Sequence, residues 1–216
     1  KLVAPGQKIL VCDIGGGTSD FTLIRVRRGE GGKVLFHRVA VGDHLILGGD
    51  NFDLTLAQHA EKKLTSGGKL EPRQWDQLVR ASRQTKEELL GAGGREQVTI
   101  TLPGSGSKLI GGSLQVPLTG DEVREVLVEG FMPKVALADR PAPRRSGFQE
   151  FGLPYASDPA ITRYLAAFLS AHRHVAMEDE DVQAGHDPAR PDVVLFNGGV
   201  FESILLKQRL IDCLCE

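Results

Sequence analysis

Short apolar runs separated by glycine-rich turns open the chain. Residues 9–12 and 21–26 are apolar and rich in β-branched side chains, a pattern that is typical of strands. Residues 33–41 alternate between apolar and polar positions, which predicts a third strand. The chain is therefore expected to begin with a β-hairpin and an adjoining antiparallel strand.

Helical periodicity follows this sheet. Apolar positions spaced by three and four residues predict one helix to about residue 64, capped by Asp50 or Asn51, and a second helix over residues 71–90. Residues 96–102 and 109–118 alternate and predict a hairpin. A T-x-x-E capping box at residues 119–122 then predicts the start of another helix.

The order of these elements predicts two structural units. Residues 49–118 read as a small α+β unit inserted into a larger unit formed by residues 1–48 and 119–216. Residues 133–157 are rich in proline and predict a long surface loop within the larger unit.

A last strand and helix are predicted near the end of the chain. Asp158 and Pro159 have the pattern of a helix cap and a first helical residue, ahead of an apolar stripe. Residues 192–196 are continuously apolar, as in a strand buried on both faces. Asn-Gly-Gly at residues 197–199 ends this strand, and a helix is expected from about Glu202.

The string DIGGGTSD at residues 13–20 carries the clearest chemistry. Three consecutive glycines allow positive φ and close approach of a ligand, and amide groups in such a turn form an anion site. Carboxylates at Asp13 and Asp20 beside an anion site call for a cation, and Mg²⁺ prefers carboxylates, water and phosphate oxygens. The alternative is a plain glycine-rich hairpin. The string is neither a Walker A loop nor a Rossmann fingerprint.

Composition excludes several classes of function. The hydrophobic fraction of 41% and the charged fraction of 25% are ordinary for a globular protein. A net charge of −2 gives no sign of a nucleic-acid partner, and no apolar run is long enough to span a membrane. Three sparse cysteines indicate a reducing compartment, and we expect a cytoplasmic protein.

Three strings resemble one superfamily of ATPases. DIGGGTSD, GGDNFD at residues 48–53 and VVLFNGGVF at residues 193–201 are similar to segments of the actin, hexokinase and heat-shock ATPases. The resemblance is strongest to the heat-shock protein 70 (DnaK-like) chaperones and fades over residues 133–157. It implies an α/β fold: an actin-like (ribonuclease H-like) lobe with a mixed sheet flanked by helices, plus the inserted subdomain.

The resemblance also implies a role for each motif residue, with ATP or ADP and Mg²⁺ as cofactors. Asp13 and Thr18 would be catalytic, and Asp13 and Asp20 would hold metal or another cation. Nucleotide contacts would come from Gly15, Gly16, Gly17, Thr18, Asp50, Lys86, Gly198 and Gly199. For Asp50 two interpretations stay open: a helix cap in a simple loop, or an acidic group near the phosphates.

Five positions depart from the resembled pattern around the adenine ring. They are Arg83, Glu87, Leu90, Val200 and Glu202. Acidic residues stand where the family has two arginines that stack on the base. Three interpretations stay open: other residues recognise the base, the site takes a nucleotide other than ATP, or the site no longer binds a nucleotide.

The function implied by the resemblance is that of a chaperone ATPase lobe. The chain would be the second lobe (subdomains IIA and IIB) of a nucleotide-binding domain, inactive without the first lobe. Its partners would be nucleotide, that lobe, co-chaperones or a nucleotide-exchange factor, and unfolded client proteins. The alternatives are a bacterial actin-like filament protein and a nucleotide-free interaction module with a degenerate site. Sugar kinases rank last because they lack the GGDNFD segment.

Overall fold

The computed structural model describes residues 3–104, 112–142, 157–174 and 187–215. The strands are β1 (Lys8–Ile14), β2 (Ser19–Arg28), β3 (Val34–Val41), β4 (Gln97–Leu102), β5 (Leu114–Thr119) and β6 (Val193–Asn197). The helices are α1 (Gly49–Thr65), α2 (Pro72–Leu90), α3 (Gly120–Val123), α4 (Ile161–Ala171) and α5 (Ile204–Cys215). A π-helical stretch, Arg124–Glu129, continues α3, and 3-10 turns lie at Glu30–Gly32 and Gly199–Glu202.

The main sheet is mixed and has the strand order β3-β2-β1-β6. Strand β2 pairs antiparallel with both β1 and β3, whereas β6 runs parallel to β1. The predicted opening hairpin and third strand are thereby confirmed. The register places Asp13 opposite both Asp20 and Asn197, so the carboxyl end of β1 lies between two polar neighbours.

Helices pack their apolar stripes against this sheet. On α4 the predicted stripe is buried: Ile161, Leu165, Phe168 and Leu169. The ring of Phe168 stacks on Phe21 of β2 with 6.1 Å between centroids. Helix α5 buries Leu206 and Leu210 in the same core. The expected α/β class, a mixed sheet flanked by helices, is confirmed.

The segment from α1 to β5 has the predicted order of two helices and a hairpin. Strands β4 and β5 form a separate antiparallel sheet, and α2 packs against both α1 and β4. Phe52 of α1 and Phe131 lie 4.2 Å apart between ring centroids, which joins this segment to the end of the π-helical stretch. The division into two subdomains stays a prediction.

Strand β6 differs from its prediction. Its residues are not buried on both faces, since Leu195 is 52% exposed and Asn197 is also exposed. Within the described residues β6 pairs only with β1, so it is an edge strand. A continuous apolar run does not distinguish an edge strand from a central one, because burial depends on what packs around it.

Two predicted helix caps are wrong. The N-cap of α1 is Gly48 rather than Asp50 or Asn51, and the Asn51 side chain accepts a hydrogen bond from the Gly48 amide at 2.9 Å. The N-cap of α4 is Ala160, because Asp158 lies outside the helix and accepts the Ala160 amide at 2.9 Å. The capping box at Thr119 is confirmed, with the Glu122 amide donating to its hydroxyl.

Some expectations lie outside the described residues. They concern residues 109–111 of the second hairpin strand, residues 143–156 of the proline-rich loop and the helix pattern at residue 216. Among the helices that the structure describes, none combines the length and the apolar character needed to cross a bilayer.

Candidate functional site

The β1–β2 turn lies directly against the first turn of α1. The amide of Gly49 donates to the Gly15 carbonyl at 2.9 Å, and the amide of Asp50 donates to the Gly16 carbonyl at 2.7 Å. A Cβ atom on Gly48 would lie 2.5 Å from the Gly16 oxygen, so the contact excludes any larger residue there. The two glycine strings of the sequence therefore form one backbone-to-backbone unit.

The turn glycines serve close approach rather than unusual dihedral angles. None of Gly15, Gly16 and Gly17 has positive φ, so the expectation of positive φ is wrong for them. A Cβ on Gly16 would instead meet the Asp50 carboxylate at 3.1 Å. Gly198 is the positive-φ glycine of the site, at +89°, and a Cβ there would overlap the Ile14 carbonyl.

Free amide donors line this turn. Within the described residues, the amide of Gly15 donates to the Thr18 carbonyl at 2.9 Å, while those of Gly16, Gly17 and Thr18 donate to no protein acceptor. Gly16 and Gly17 are exposed, so their amides are accessible to a ligand. Adjacent unpaired amides of this kind suit an anion with several oxygens.

The two carboxylates at the strand ends have separate partners. Asp13 accepts a hydrogen bond from the Asn197 amide group at 2.9 Å, which orients the carboxylate across the β1–β6 pair. Asp20 lies 2.8 Å from the His44 ring, and both side chains are partly exposed. Among the described residues, no group of three or more metal-ligating side chains is present. A cation at Asp13 would thus need ligands from water or an anion.

Lys86 is held inside the site by a buried carboxylate that the sequence interpretation missed. Its ammonium lies 2.5 Å from Asp53, whose side chain is 7% exposed, and 3.4 Å from the Gly49 carbonyl. Burial raises the pKa of Asp53, and hydrogen bonding and attraction to Lys86 oppose that rise. The signal for Asp53 was its position one helical turn after Asp50 on α1.

A cavity of about 340 Å³ connects the glycine turns to α2 and α5. Gly15, Gly16, Gly49 and Gly199 form its backbone wall, with Asp50, Asp53 and Lys86 beside them. The other part of the cavity is lined by side chains from α2, from the segment that precedes α5 and from α5 itself: Arg83, Glu87, Leu90, Glu202, Ser203 and Leu206.

The cavity brings together five of the ten predicted site residues. Gly15, Gly16, Asp50, Lys86 and Gly199 line it. Asp13, Gly17, Thr18, Asp20 and Gly198 lie outside its lining, either in the adjoining turns or at the ends of the paired strands. Gly198 supports the wall indirectly, by its close contact with the backbone of Ile14.

The five residues that depart from the expected pattern all line the cavity. Glu87 pairs with Arg83 at 3.2 Å on the exposed face of α2, and this hydrogen bond raises the pKa of Arg83. The Leu90 carbonyl accepts a hydrogen bond from Ser203 at 2.6 Å. Val200 packs next to Gly49, and Glu202 is exposed. The turn after β6 is thereby tied to the end of α2.

Comparison with known proteins agrees with this geometry. The sequence model of the family described as Hsp70 protein matches residues 4–134, more than half of the chain. The chain belongs to the Hsp70 family. The match includes the β1–β2 turn, the start of α1 and all of α2, which carry most of the cavity wall.

Individual relatives are named as chaperones. A Chaperone protein HscA homolog of Shewanella putrefaciens is 33% identical over 102 residues, which are 47% of this chain and 16% of that protein. Chaperone protein HscA of Cronobacter sakazakii is 37% identical over 84 residues, 39% of this chain and 13% of that protein. An HscA homolog of Acinetobacter baumannii is 32% identical over 87 residues, 40% and 13% of the two chains. The matched segments thus span less than a fifth of each relative.

Proposed function

We propose that the chain forms one half of the nucleotide-binding ATPase domain of an Hsp70-type chaperone. The observation that carries the proposal is the convergence of the β1–β2 turn, the start of α1 and the turn after β6 at one cavity. Two of these segments are held so closely that only glycine fits at Gly48 and Gly198. Such a backbone wall suits the phosphates of a nucleotide.

The unpaired amides would bind phosphate oxygens. Donors at Gly16, Gly17 and Thr18 would stabilise the negative charge that shifts between oxygens during phosphoryl transfer. Gly15 would shape the turn, and the Thr18 hydroxyl would add a further donor. The amides are backbone atoms of a hydrogen-bonded turn, so they are oriented before the ligand arrives.

Asp13 and Asp20 would bind cations. Mg²⁺, when bound, neutralises phosphate charge, and the donor set fits it, because Asp13 offers a carboxylate beside the anion site. Asn197 would keep the Asp13 carboxylate pointed across the sheet edge and help place the attacking water. Asp20, paired with His44, would hold the turn or a monovalent cation.

The nucleoside would lie towards α2 and the turn after β6. Gly198 and Gly199 would let the ribose or base approach the backbone, and Asp50 would face the phosphates through the cation. Lys86 would reach a ribose hydroxyl only by sharing its ammonium with Asp53. The pairing therefore places Lys86 as a fixed donor rather than a flexible one.

The wider function follows from the family and belongs to the same proposal. The complete protein would bind and hydrolyse ATP in the cytoplasm, acting on unfolded client proteins with co-chaperones or a nucleotide-exchange factor. The chain alone would bind nucleotide weakly and not hydrolyse it, since a second lobe completes the site in the family it resembles. The Hsp70 match favours the chaperone over the actin-like filament.

Calorimetry of Mg·ADP binding tests the proposal on protein expressed from the complete coding sequence. Asp13→Ala should weaken Mg²⁺-dependent binding at least tenfold, because the carboxylate beside the phosphates is lost. Asp43→Ala is the matched control, since Asp43 is an exposed carboxylate in the loop before α1 and outside the cavity lining. Equal binding by wild type and the Asp13 variant would overturn the role of Asp13. Absence of binding by any nucleotide would favour the interaction module.

A further inference from the structure

The loop that leads into α1, residues 42–48, lies along the start of β2. The Gly42 amide donates to the Phe21 carbonyl at 2.8 Å. Ser19 and Leu45 exchange both of their backbone hydrogen bonds, at 3.0 and 3.1 Å. The loop therefore runs back along β2 towards the β1–β2 turn and reaches α1 beside that turn.

The last peptide bond of this loop, between Leu47 and Gly48, is held on both sides. Ser19 is fully buried, and its hydroxyl donates to the Leu47 carbonyl at 2.6 Å. The Gly48 amide donates to the Asn51 side chain at 2.9 Å. The carbonyl and the amide belong to one planar unit, so this peptide cannot rotate without breaking one of the two hydrogen bonds.

This peptide sets the position of the residues that contact the β1–β2 turn. Gly48 is followed directly by two residues whose amides donate to the turn, Gly49 and Asp50. Their acceptors are the carbonyls of Gly15 and Gly16, at 2.9 and 2.7 Å. A rotation of the preceding peptide would move both donors away from the turn.

The same two carbonyls determine where the unpaired amides of the turn point. In a trans peptide, the carbonyl and the amide of the following residue lie in one plane and point in opposite directions. Fixing the Gly15 carbonyl therefore fixes the Gly16 amide, and fixing the Gly16 carbonyl fixes the Gly17 amide. Both amides then point away from the donors of α1, which leaves them accessible to a ligand.

We propose that Ser19 is a positioning residue of this anion site and acts through the backbone. Its hydroxyl fixes the Leu47–Gly48 peptide, which places the start of α1 against the turn. The turn then presents its amides to phosphate oxygens in a fixed orientation. The inference rests on the proposed nucleotide site and adds a residue to it. Ser19 lies outside the cavity lining, so it would touch no ligand itself.

Calorimetry of Mg·ADP binding tests the inference on protein expressed from the complete coding sequence. Ser19→Ala removes the hydroxyl and keeps both backbone hydrogen bonds to Leu45. The dissociation constant should rise about fivefold, which corresponds to the loss of one hydrogen bond. Urea unfolding of the same variant should show a lower midpoint, because the Leu47 carbonyl loses this donor.

Thr162→Val is the matched control. The Thr162 hydroxyl is also buried, and it donates to the Pro133 carbonyl at 2.8 Å, outside the cavity lining. Loss of this bond should lower the urea midpoint to a similar extent and leave Mg·ADP binding unchanged. Comparison of the two variants therefore separates positioning from general destabilisation.

Asn51→Ala releases the same peptide from its other side. It removes the acceptor of the Gly48 amide and leaves Ser19 in place. Mg·ADP binding should again weaken. The double variant with Ser19→Ala should weaken binding by less than the product of the two single effects, because both bonds hold one peptide. A double variant that equals this product would overturn the assignment to the Leu47–Gly48 peptide.

The outcomes separate this inference from the proposed function. Mg·ADP binding at the wild-type level in Ser19→Ala would overturn the positioning role and leave the phosphate site standing. An equal loss of binding in Thr162→Val would overturn it as well, because any loss of stability would then be sufficient. Absence of Mg·ADP binding by the wild-type protein would overturn the proposed function itself, and the inference with it.

Discussion

One end of the cavity is lined by main-chain groups and the other by side chains. At the glycine end, main chain packs on main chain: Gly49 and Asp50 donate to the β1–β2 turn, and Gly48 and Gly198 have no room for a side chain. At the other end, long charged side chains such as Arg83 and Glu87 extend into solvent from α2.

This difference separates what can vary from what cannot. A backbone wall depends on the fold, so a substitution there disturbs the structure and the site together. Exposed side chains can be replaced without moving the backbone, so the base end can change its ligand while the phosphate end stays constant.

The largest effect is expected for Gly198→Ala. A methyl group would overlap the Ile14 carbonyl and lie 2.9 Å from the Gly15 amide, in a residue with φ of +89°. Steric overlap and backbone strain together should cost about 3 kcal/mol or more of unfolding free energy. Urea unfolding measures this cost, and Mg·ADP calorimetry should show the accompanying loss of binding.

Gly199→Ala is the matched control one residue away. Nothing lies within 4 Å of a Cβ atom there, and its φ is not positive. We expect a change within about 0.5 kcal/mol. If the two alanine variants were equally stable, the backbone wall would not be as rigid as the comparison requires.

Lys86→Met should have the next largest effect, because it leaves the Asp53 carboxylate buried without its cation. Removing one partner of a largely buried pair should cost about 3 kcal/mol at pH 7. Adding Asp53→Asn should recover most of that loss, since no buried charge remains. If the loss came from packing instead of from the buried charge, the double variant would be as unstable as Lys86→Met alone.

The cost of Lys86→Met should depend on pH. Burial already raises the pKa of Asp53, and loss of Lys86 removes the main opposing influence, so the folded-state pKa rises further. A carboxyl whose folded-state pKa exceeds the unfolded value of about 3.9 favours folding only while protonated. The destabilisation should therefore be small below pH 4 and grow as pH rises through the folded-state pKa. Urea unfolding across this range provides the measurement.

The sequence predicted the glycine end well because its signals are local. The strands flanking the turn, the start of α1 and the extent of α2 follow from short-range periodicity, and α2 begins one residue from its predicted start. The glycine strings point to the right place. The predicted role of these glycines is only partly correct. Gly16 allows close approach to Asp50, but it does not have positive φ.

The contacts between distant segments could not be predicted in the same way. The pairing of Lys86 with Asp53 and the bond from Ser203 to Leu90 depend on how α1, α2 and α5 pack. The exposure of Leu195 depends on what covers β6 and not on its apolar sequence. These features depend on tertiary packing, which cannot be predicted from any single stretch of the sequence.

Ser203→Ala should have a moderate effect that links the two ends. It removes the hydrogen bond to the Leu90 carbonyl, which should cost about 1 kcal/mol. Because this bond ties α2 to the turn after β6, the loss should also weaken Mg·ADP binding. Urea unfolding and calorimetry measure the two effects. Mg·ADP binding that stays at the wild-type level would show that this hydrogen bond does not shape the nucleotide site.

The smallest effect on stability is expected for Glu87→Gln, at the side-chain end. Its pair with Arg83 spans one helical turn and both side chains are mostly exposed, so its loss should cost less than about 0.5 kcal/mol. Urea unfolding should therefore show almost no difference between this variant and the wild type. The same substitution at Glu88, which contacts Gln84 and Arg95 outside the cavity lining, should leave Mg·ADP binding intact. A stability loss at Glu87 comparable to that of Gly198→Ala would contradict the division between a fixed backbone end and a replaceable side-chain end.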